Sequence, residues 1–457
     1  MRAMGLAFVA LGTWAHGQGN WEDVGMPYQT TGCVQIYTDS AADRLIAVGN
    51  ITITNDYSHP VAAIYNGSSW TALSVFEWGG LHTTVRYGDT LVFAGYFQVI
   101  EGVPMPYIAA YYDSTWHDFG TFDQVVRKLK VIDDTLYAVG GFLYVDGHLC
   151  NGVARRVGGQ WENIGTLQTS PSGPILVSVE KYQDRLYVGG SLSLYDGTNG
   201  IAMYDGSTWS GPGGGILGGA AAALDLAVYN GELYVGGEIR VTAGNAGHGL
   251  MRWDGSQWHD VGGSMQDLYC GTTYPGRARS LLVHDGKLLA SGGFGCAGHI
   301  SAQRFAQWDG TNWCGTGDTI PDEVMAMAMY HDTLFLALGG YTVNGDTVPG
   351  MVMKWVGGAY EDTCGTVSIA PIAQGEHSLE LWPNPSAEVL HVSLPPATGP
   401  GARLSLVDMG GRTVRRVNTA HQGTLEIPVA DLPDGLYAVR LEGADGGILT
   451  RRFLKLR

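Results

Sequence analysis

The residues most able to do chemistry lie between strands. His59, His148, His248 and His299 fall in long interstrand segments, and imidazoles there can bind a metal or move protons. They are scattered over separate segments, and separated loop histidines are ordinarily plain surface residues. No metal site and no cofactor is therefore expected. Tyr57, Tyr96, Tyr107, Tyr144, Tyr195 and Tyr274 share those segments, and such rings suit stacking on sugars or packing against a protein. The acidic pairs Asp133-Asp134 and Asp322-Glu323 lie at turns, where solvation is their ordinary use. There is no Gly-x-Ser-x-Gly and no His-Glu-x-x-His. The chemistry of these loops points to binding; a glycan-active hydrolase or lyase on the same loops, or a structural module of a surface assembly, are the alternatives.

The elements that position the loops are repeats. An outer aromatic recurs at Trp21, Trp70, Trp116, Trp161, Trp209, Trp258, Trp313 and Tyr360, so eight marks enclose seven units. Each unit has a strand ending in small residues, such as Leu136 to Gly141 or Leu233 to Gly237. It is preceded by a strand of alternating apolar residues, as at Leu129/Val131 and Leu226/Val228. Asp133-Asp134, Asn230-Gly231 and Asp285-Gly286 read as two-residue turns after the first strand. Asn66-Gly67, Asp205-Gly206, Asp254-Gly255 and Asp309-Gly310 read the same way after the third. A four-stranded meander of this length cannot bury its faces alone, so seven copies predict an all-β, seven-bladed β-propeller. Trp21 is expected to begin a strand that completes the last blade. Short turns then crowd one face, and the long loops after the second and fourth strands of each unit crowd the other, which makes the long-loop face the expected binding face.

Composition bounds the setting. The chain has 457 residues, 45% hydrophobic and 15% charged, with 69 glycines, which favours strands and turns over helices. Residues 1–378 carry 35 Asp/Glu against 17 Lys/Arg, and residues 379–457 carry 8 against 9, so two domains are expected. The acidic balance argues against nucleic acid as a partner. Arg2 followed by an apolar run to Trp14 and small residues at Ala15 and Gly17 reads as a signal peptide over residues 1–17. No later stretch is long enough to span a membrane. Export makes the six cysteines candidates for disulfides; fifteen connectivities are possible, and Cys270 with Cys296 is the first pairing to test.

Gly140-Gly141 followed by Trp161, Gly236-Gly237 by Trp258 and Gly292-Gly293 by Trp313 resemble kelch repeats of the galactose-oxidase-like propellers, over about residues 21–365. The chain departs in one spacing: Tyr204, Trp253 and Trp308 precede their outer Trp by five residues rather than six or seven. No set of Cys, Tyr and His matches the copper site of the oxidase relatives. After a linker at 366–378, residues 379–457 alternate short strands and turns as a small Ig-like β-sandwich. They also resemble the type A C-terminal sorting domain of the bacterial type IX secretion system. The resemblance rests on Pro383-Asn384-Pro385, Gly411-Arg412, Gly435 with Tyr437, and Lys455. It implies passage through the periplasm to the outside or to the outer-membrane surface, with the secretion machinery as partner and surface polysaccharide or an extracellular glycan or protein as further partners.

Overall fold

Period-two patterning is realised as short strands. A computed structural model describes residues 21–26, 29–52, 60–169, 173–218, 222–263, 265–266, 276–315, 320, 322–339, 341–343, 346–348, 352–356, 380–383, 386–394, 402–408, 412–417, 424–442 and 448–456. These contain strands, turns and three single-turn 3-10 segments, with no α-helix among the described residues. The chain divides into two compact units, Met1–Gly365 and Thr366–Arg457.

The described strands of the first unit run as seven four-stranded antiparallel meanders, numbered here as sheets 1 to 7; the Ser191–Ala222 pairing joins the fourth and fifth into one sheet of eight, and the hairpin at Val99–Pro104 extends the first to six. Sheet 1 is Gln29–Asp39, Arg44–Thr52, Val61–Tyr65 and Trp70–Glu77. Sheet 2 is Leu81–Tyr87, Thr90–Gly95, Ile108–Tyr112 and Thr115–Asp118. Sheet 3 is Val126–Ile132, Thr135–Gly140, Val153–Val157 and Gln160–Asn163. Sheet 4 is Ile175–Tyr182, Arg185–Ser193, Asn199–Tyr204 and Trp209–Ser210. Sheet 5 is Ala222–Tyr229, Glu232–Glu238, Leu250–Trp253 and Trp258–His259. Sheet 6 is Arg277–His284, Lys287–Gly293, Phe305–Trp308 and Trp313–Cys314. Sheet 7 takes Val324–Tyr330, Thr333–Leu338 and Val352–Trp355 from one end of the unit and Trp21–Asp23 from the other. Trp21 pairs with Trp355 and Asp23 with Met353, as expected of a strand that completes the last repeat. The first strand of each sheet lies beside those of the adjoining sheets, and that of sheet 7 lies beside that of sheet 1.

Each first strand carries a β-bulge at the same place. The ladder slips at Val34, His82, Arg127, Val177, Leu224, Arg279 and Met325, and in sheet 1 it slips a second time between Thr30 and Cys33. This explains a glycine. A Cβ at Gly95, Gly140 or Gly237 on the second strand would run into the carbonyl of Gly80, Val125 or Ala222, just ahead of the bulge. The other glycine of the pair makes room for the next sheet: a Cβ on Gly236 would stand 2.9 Å from the Ala278 carbonyl oxygen. Sheets are further stapled by side chains that accept backbone N–H groups across the gap. Gln35 Oε1 accepts from Thr84 at 2.8 Å, Thr83 Oγ1 from Leu129 at 3.1 Å, and Asp225 Oδ2 from Leu281 at 2.8 Å.

The outer tryptophans link neighbours in one direction. The indole N–H of Trp70 donates to Val24 O, Trp161 to Phe119 O, Trp209 to Ile164 O, Trp258 to Pro212 O and Trp313 to Val261 O, at 2.6 to 3.2 Å; Trp116 donates to Ser74 Oγ at 2.8 Å. Every acceptor lies in the preceding repeat. The five-residue spacing from Tyr65, Tyr204, Trp253 and Trp308 to the outer Trp makes each pair directly opposite across a ladder, with centroids 5.0 to 5.1 Å apart.

Turn chemistry is only partly as expected. Asp133-Asp134, Asn230-Gly231 and Asp285-Gly286 are two-residue turns with positive φ at both positions. The turns at Asn66, Asp205, Asp254 and Asp309 instead span four residues. Their leading side chain accepts N–H groups two and three residues on, as Asp205 Oδ1 does from Ser207 and Thr208 at 2.8 Å. Those bonds favour the ionised carboxyl and hold Asp205 down at about 2.

In the second unit two sheets share one core. Glu380–Trp382, Val389–Ser393 and Thr424–Pro428 form one; Thr413–Val417, Arg403–Asp408, Gly435–Glu442 and Ile448–Lys455 form the other. Leu390, Val392 and Ile427 from the first meet Leu404, Leu406, Val439, Leu441 and Phe453 from the second.

Candidate binding face, central channel and sorting domain

The segments between second and third strands are built loops. Val99–Ile100 with Val103–Pro104, Tyr144–Val145 with His148–Leu149, and Cys296–Ala297 with Ile300–Ser301 are miniature hairpins. Each also pairs with the preceding repeat, as Val99 does with Glu77, Val145 with Phe122 and Cys296 with Gln266. They therefore present side chains from ordered backbone.

Of the residues singled out by sequence, Tyr57, His59 and Tyr274 lie outside the described residues. Tyr96, Tyr144 and Tyr195 are 55%, 47% and 69% exposed, available for contact. Half-buried Tyr107 lies 6.3 Å from Tyr96 between ring centroids. A Cβ on Gly79 would stand 2.8 Å from the Tyr96 ring, and the residue before it, Trp78, is 70% exposed. Trp78, Tyr96 and Tyr107 thus concentrate aromatic surface where sheets 1 and 2 adjoin. His148 and His299 are exposed on separate hairpins. His248 is a correction: it is 8% exposed, and its Nδ1 accepts the Val241 N–H at 3.1 Å, so it holds its own loop. Among the described residues no three His, Cys, Asp or Glu side chains could together hold a metal ion.

The described cysteines are of two kinds. Cys33 and Cys150 are free and buried, and burial pushes their thiols up to about 12 and about 11. Cys296 and Cys314 are each disulfide-bonded, whereas Cys270 lies outside the described residues.

Sequence reading missed the interior. The first strands of all seven sheets line a cavity of ≈ 620 Å³. The bulged residues Val34, His82, Arg127, Val177, Leu224, Arg279 and Met325 all face it, because a bulge re-aims a side chain that a regular ladder would place elsewhere. The lining has five Lys/Arg side chains against one carboxylate, Asp225. Most cations are paired: Arg86 Nε lies 2.5 Å from Asp39, Lys130 Nζ 2.7 Å from Glu180, and Arg279 Nε 2.8 Å from Glu323. Burial, helped by the charge of Arg127, drives His82 down to about 4, so it is a neutral donor and acceptor at neutral pH. Aligning the repeats on the apolar position held by Leu129, Leu226 and Leu281, which is Thr84 in the second repeat, would have shown His82 and Arg127 as equivalents two residues before it.

The sorting residues are mostly structural. Tyr437 Oη donates to Pro433 O at 2.9 Å, and Lys455 is 1% exposed with Nζ 3.5 Å from the Asp434 carboxylate. The Arg412 backbone N–H donates to Asp408 Oδ1 at 2.9 Å, while its side chain stays 81% exposed. Gly435 pairs with Lys455 across the ladder. Pro383 is described, whereas Asn384, Pro385 and Gly411 are outside the described residues.

No curated protein matches the chain. Among the described residues no helix is long and apolar enough to cross a membrane. Residues 380–455 match the family model of the secretion system C-terminal sorting domain, so the chain carries the signal read by type IX secretion machinery and is secreted or displayed at the outer-membrane surface.

Proposed function

We propose that residues 18–365 form a kelch-like seven-bladed propeller, behind a signal peptide at 1–17, and that residues 379–457 form an Ig-like sandwich after a linker at 366–378. The propeller is a non-catalytic module that binds an extracellular glycan or protein through its long-loop face. The observation that carries this reading is the exposed rings of Trp78 and Tyr96, with half-buried Tyr107 6.3 Å from Tyr96, on a hairpin-braced surface. Flat rings on rigid backbone bury much area at little entropic cost, which is what sugar and protein surfaces require.

A glycan array and a turnover screen on the full chain test it. Tyr96→Ala with Tyr144→Ala should weaken capture at least tenfold, while Gly206→Ala or Gly255→Ala on the turn face should change only stability. Capture abolished by the turn-face changes at unchanged melting temperature, and untouched by the loop changes, would overturn the assignment. The second reading, a glycan-active enzyme, draws support from Asp322, whose carboxyl is raised by burial at the entry to sheet 7. Turnover lost on Asp322→Asn would favour it.

A further inference from the structure

We infer that the mouth of the central channel is an oxyanion-binding site anchored by Arg127. This inference rests on the seven sheets closing around the channel, and not on the aromatic face.

Three observations converge. The unit is strongly acidic, yet the charged residues lining its cavity are five cations against one carboxylate. Among those cations Arg127 and Lys128 have no ion pair within the described residues. The Arg127 Nε is buried without an acceptor. Thr84 Oγ1, which lines the same cavity, is likewise buried without a partner. His82, next to Arg127 around the ring of bulges, is held neutral and adds a donor without adding repulsion of its own.

Arg127 is half-buried, its Nε is shut off from water and no counter-charge faces it among the described residues; an occupant carrying negative charge offsets the cost of that partial desolvation. The planar fork matches carboxylate, sulfate and phosphate. A cavity of ≈ 620 Å³ admits such a group either free or borne on a sugar ring, being within the roughly 300 to 1,000 Å³ of ordinary ligand pockets. The negative field of the surrounding unit disfavours long polyanions, so the ligand is a single oxyanion or the acidic end of a chain.

Calorimetric titration of the full chain with sodium sulfate, sodium glucuronate and glucose tests this. Sulfate or glucuronate should bind at one site and glucose should not. Arg127→Met should weaken binding at least tenfold without lowering the melting temperature, because Arg127 makes no ion pair among the described residues and its Nε is buried without an acceptor. Arg127→Lys, which keeps the charge and loses the fork, should weaken it at least threefold and serves if Arg127→Met fails to fold. Glucuronate tenfold tighter than sulfate would identify a sugar-borne anion, and equal affinities a free one. No heat from either anion at tens of millimolar, or equal binding in wild type and both variants, would overturn the inference. Glycan capture that survives Arg127→Met while anion binding does not leaves both readings standing; capture lost in the Tyr96/Tyr144 variant with sulfate binding intact separates them.

Discussion

Replacing an outer tryptophan by phenylalanine keeps most of its packing and removes one hydrogen bond, and the cost should differ between repeats by an amount the acceptors set. Trp161 is 4% exposed and its Nε1 donates to Phe119 O at 2.7 Å, but that carbonyl also accepts from Arg156 Nη1 at 3.2 Å. Trp161→Phe therefore forfeits a bond without orphaning its acceptor, a loss of about 1 kcal/mol. Trp313 is 7% exposed and its Nε1 donates to Val261 O at 2.8 Å, a carbonyl with no other donor among the described residues. Trp313→Phe strands that buried carbonyl, and the desolvation penalty raises the loss to about 2 to 3 kcal/mol. Either residue changed to Ala should cost about 3 to 5 kcal/mol through the cavity left behind. Urea unfolding followed by far-ultraviolet circular dichroism, with disulfides oxidised, measures each. Equal losses for the two Phe variants, or a larger one at Trp161, would refute the argument that the acceptor decides the cost.

In the native protein Cys33 and Cys150 should resist iodoacetamide at pH 8, since their raised pKa values leave almost no thiolate, and should react fully in denaturant. Non-reducing peptide mapping should recover Cys296 joined to Cys270; Cys270 alkylated in the native protein would exclude that pairing. Burial opposes ionisation of the fully buried Asp39, but Arg86 and Arg44 overcome it and hold the carboxyl below its ordinary value. A depressed folded pKa gives stability that is complete above the unfolded value near pH 4 and is lost as pH falls through the folded one. Asp39→Asn should cost about 3 to 5 kcal/mol at neutral pH by leaving two arginines facing a neutral amide, and should flatten the acid limb of a stability-against-pH curve. Truncation after Ala373 should leave a folded first unit in the periplasm, assayed by protease resistance of fractionated cells; normal surface delivery of the truncated chain would contradict the role of the second unit.

The repeat pattern was legible because tryptophan spacing and paired glycines reflect contacts every sheet must make. The strand at Trp21 was legible for the same reason, as an eighth mark on seven units. What the sequence concealed depends on geometry that one strand cannot announce. A bulge turns His82 and Arg127 into the channel by adding one residue to the ladder, and period-two reading has no term for that addition. The four-residue turns at Asp205 and Asp254 carry the same Asp-Gly letters as two-residue ones, and only the register tells them apart. His248 looked like a loop ligand because burial cannot be read from a segment between strands. Tyr96 packs against the backbone at Gly79, where a side chain would collide with it, a contact that no local pattern announces.

The run of indole bonds has a gap. Six outer tryptophans reach back to the preceding repeat, but the Nε1 of Trp21, the seventh, is buried with no acceptor among the described residues. Trp21 is held by its rings instead, edge-on to Trp355 at 4.9 Å and Phe305 at 5.8 Å. The join between sheets 6 and 7 is thus a seam. It is also the one sheet whose strands come from opposite ends of the unit, so it forms only after more than three hundred residues have emerged. Closing so long a loop costs on the order of 5 kcal/mol in chain entropy. Folding of the first unit is therefore gated by its last step: an incomplete chain keeps an open edge, and hydrogen exchange in the finished protein should be fastest along the three residues that close it.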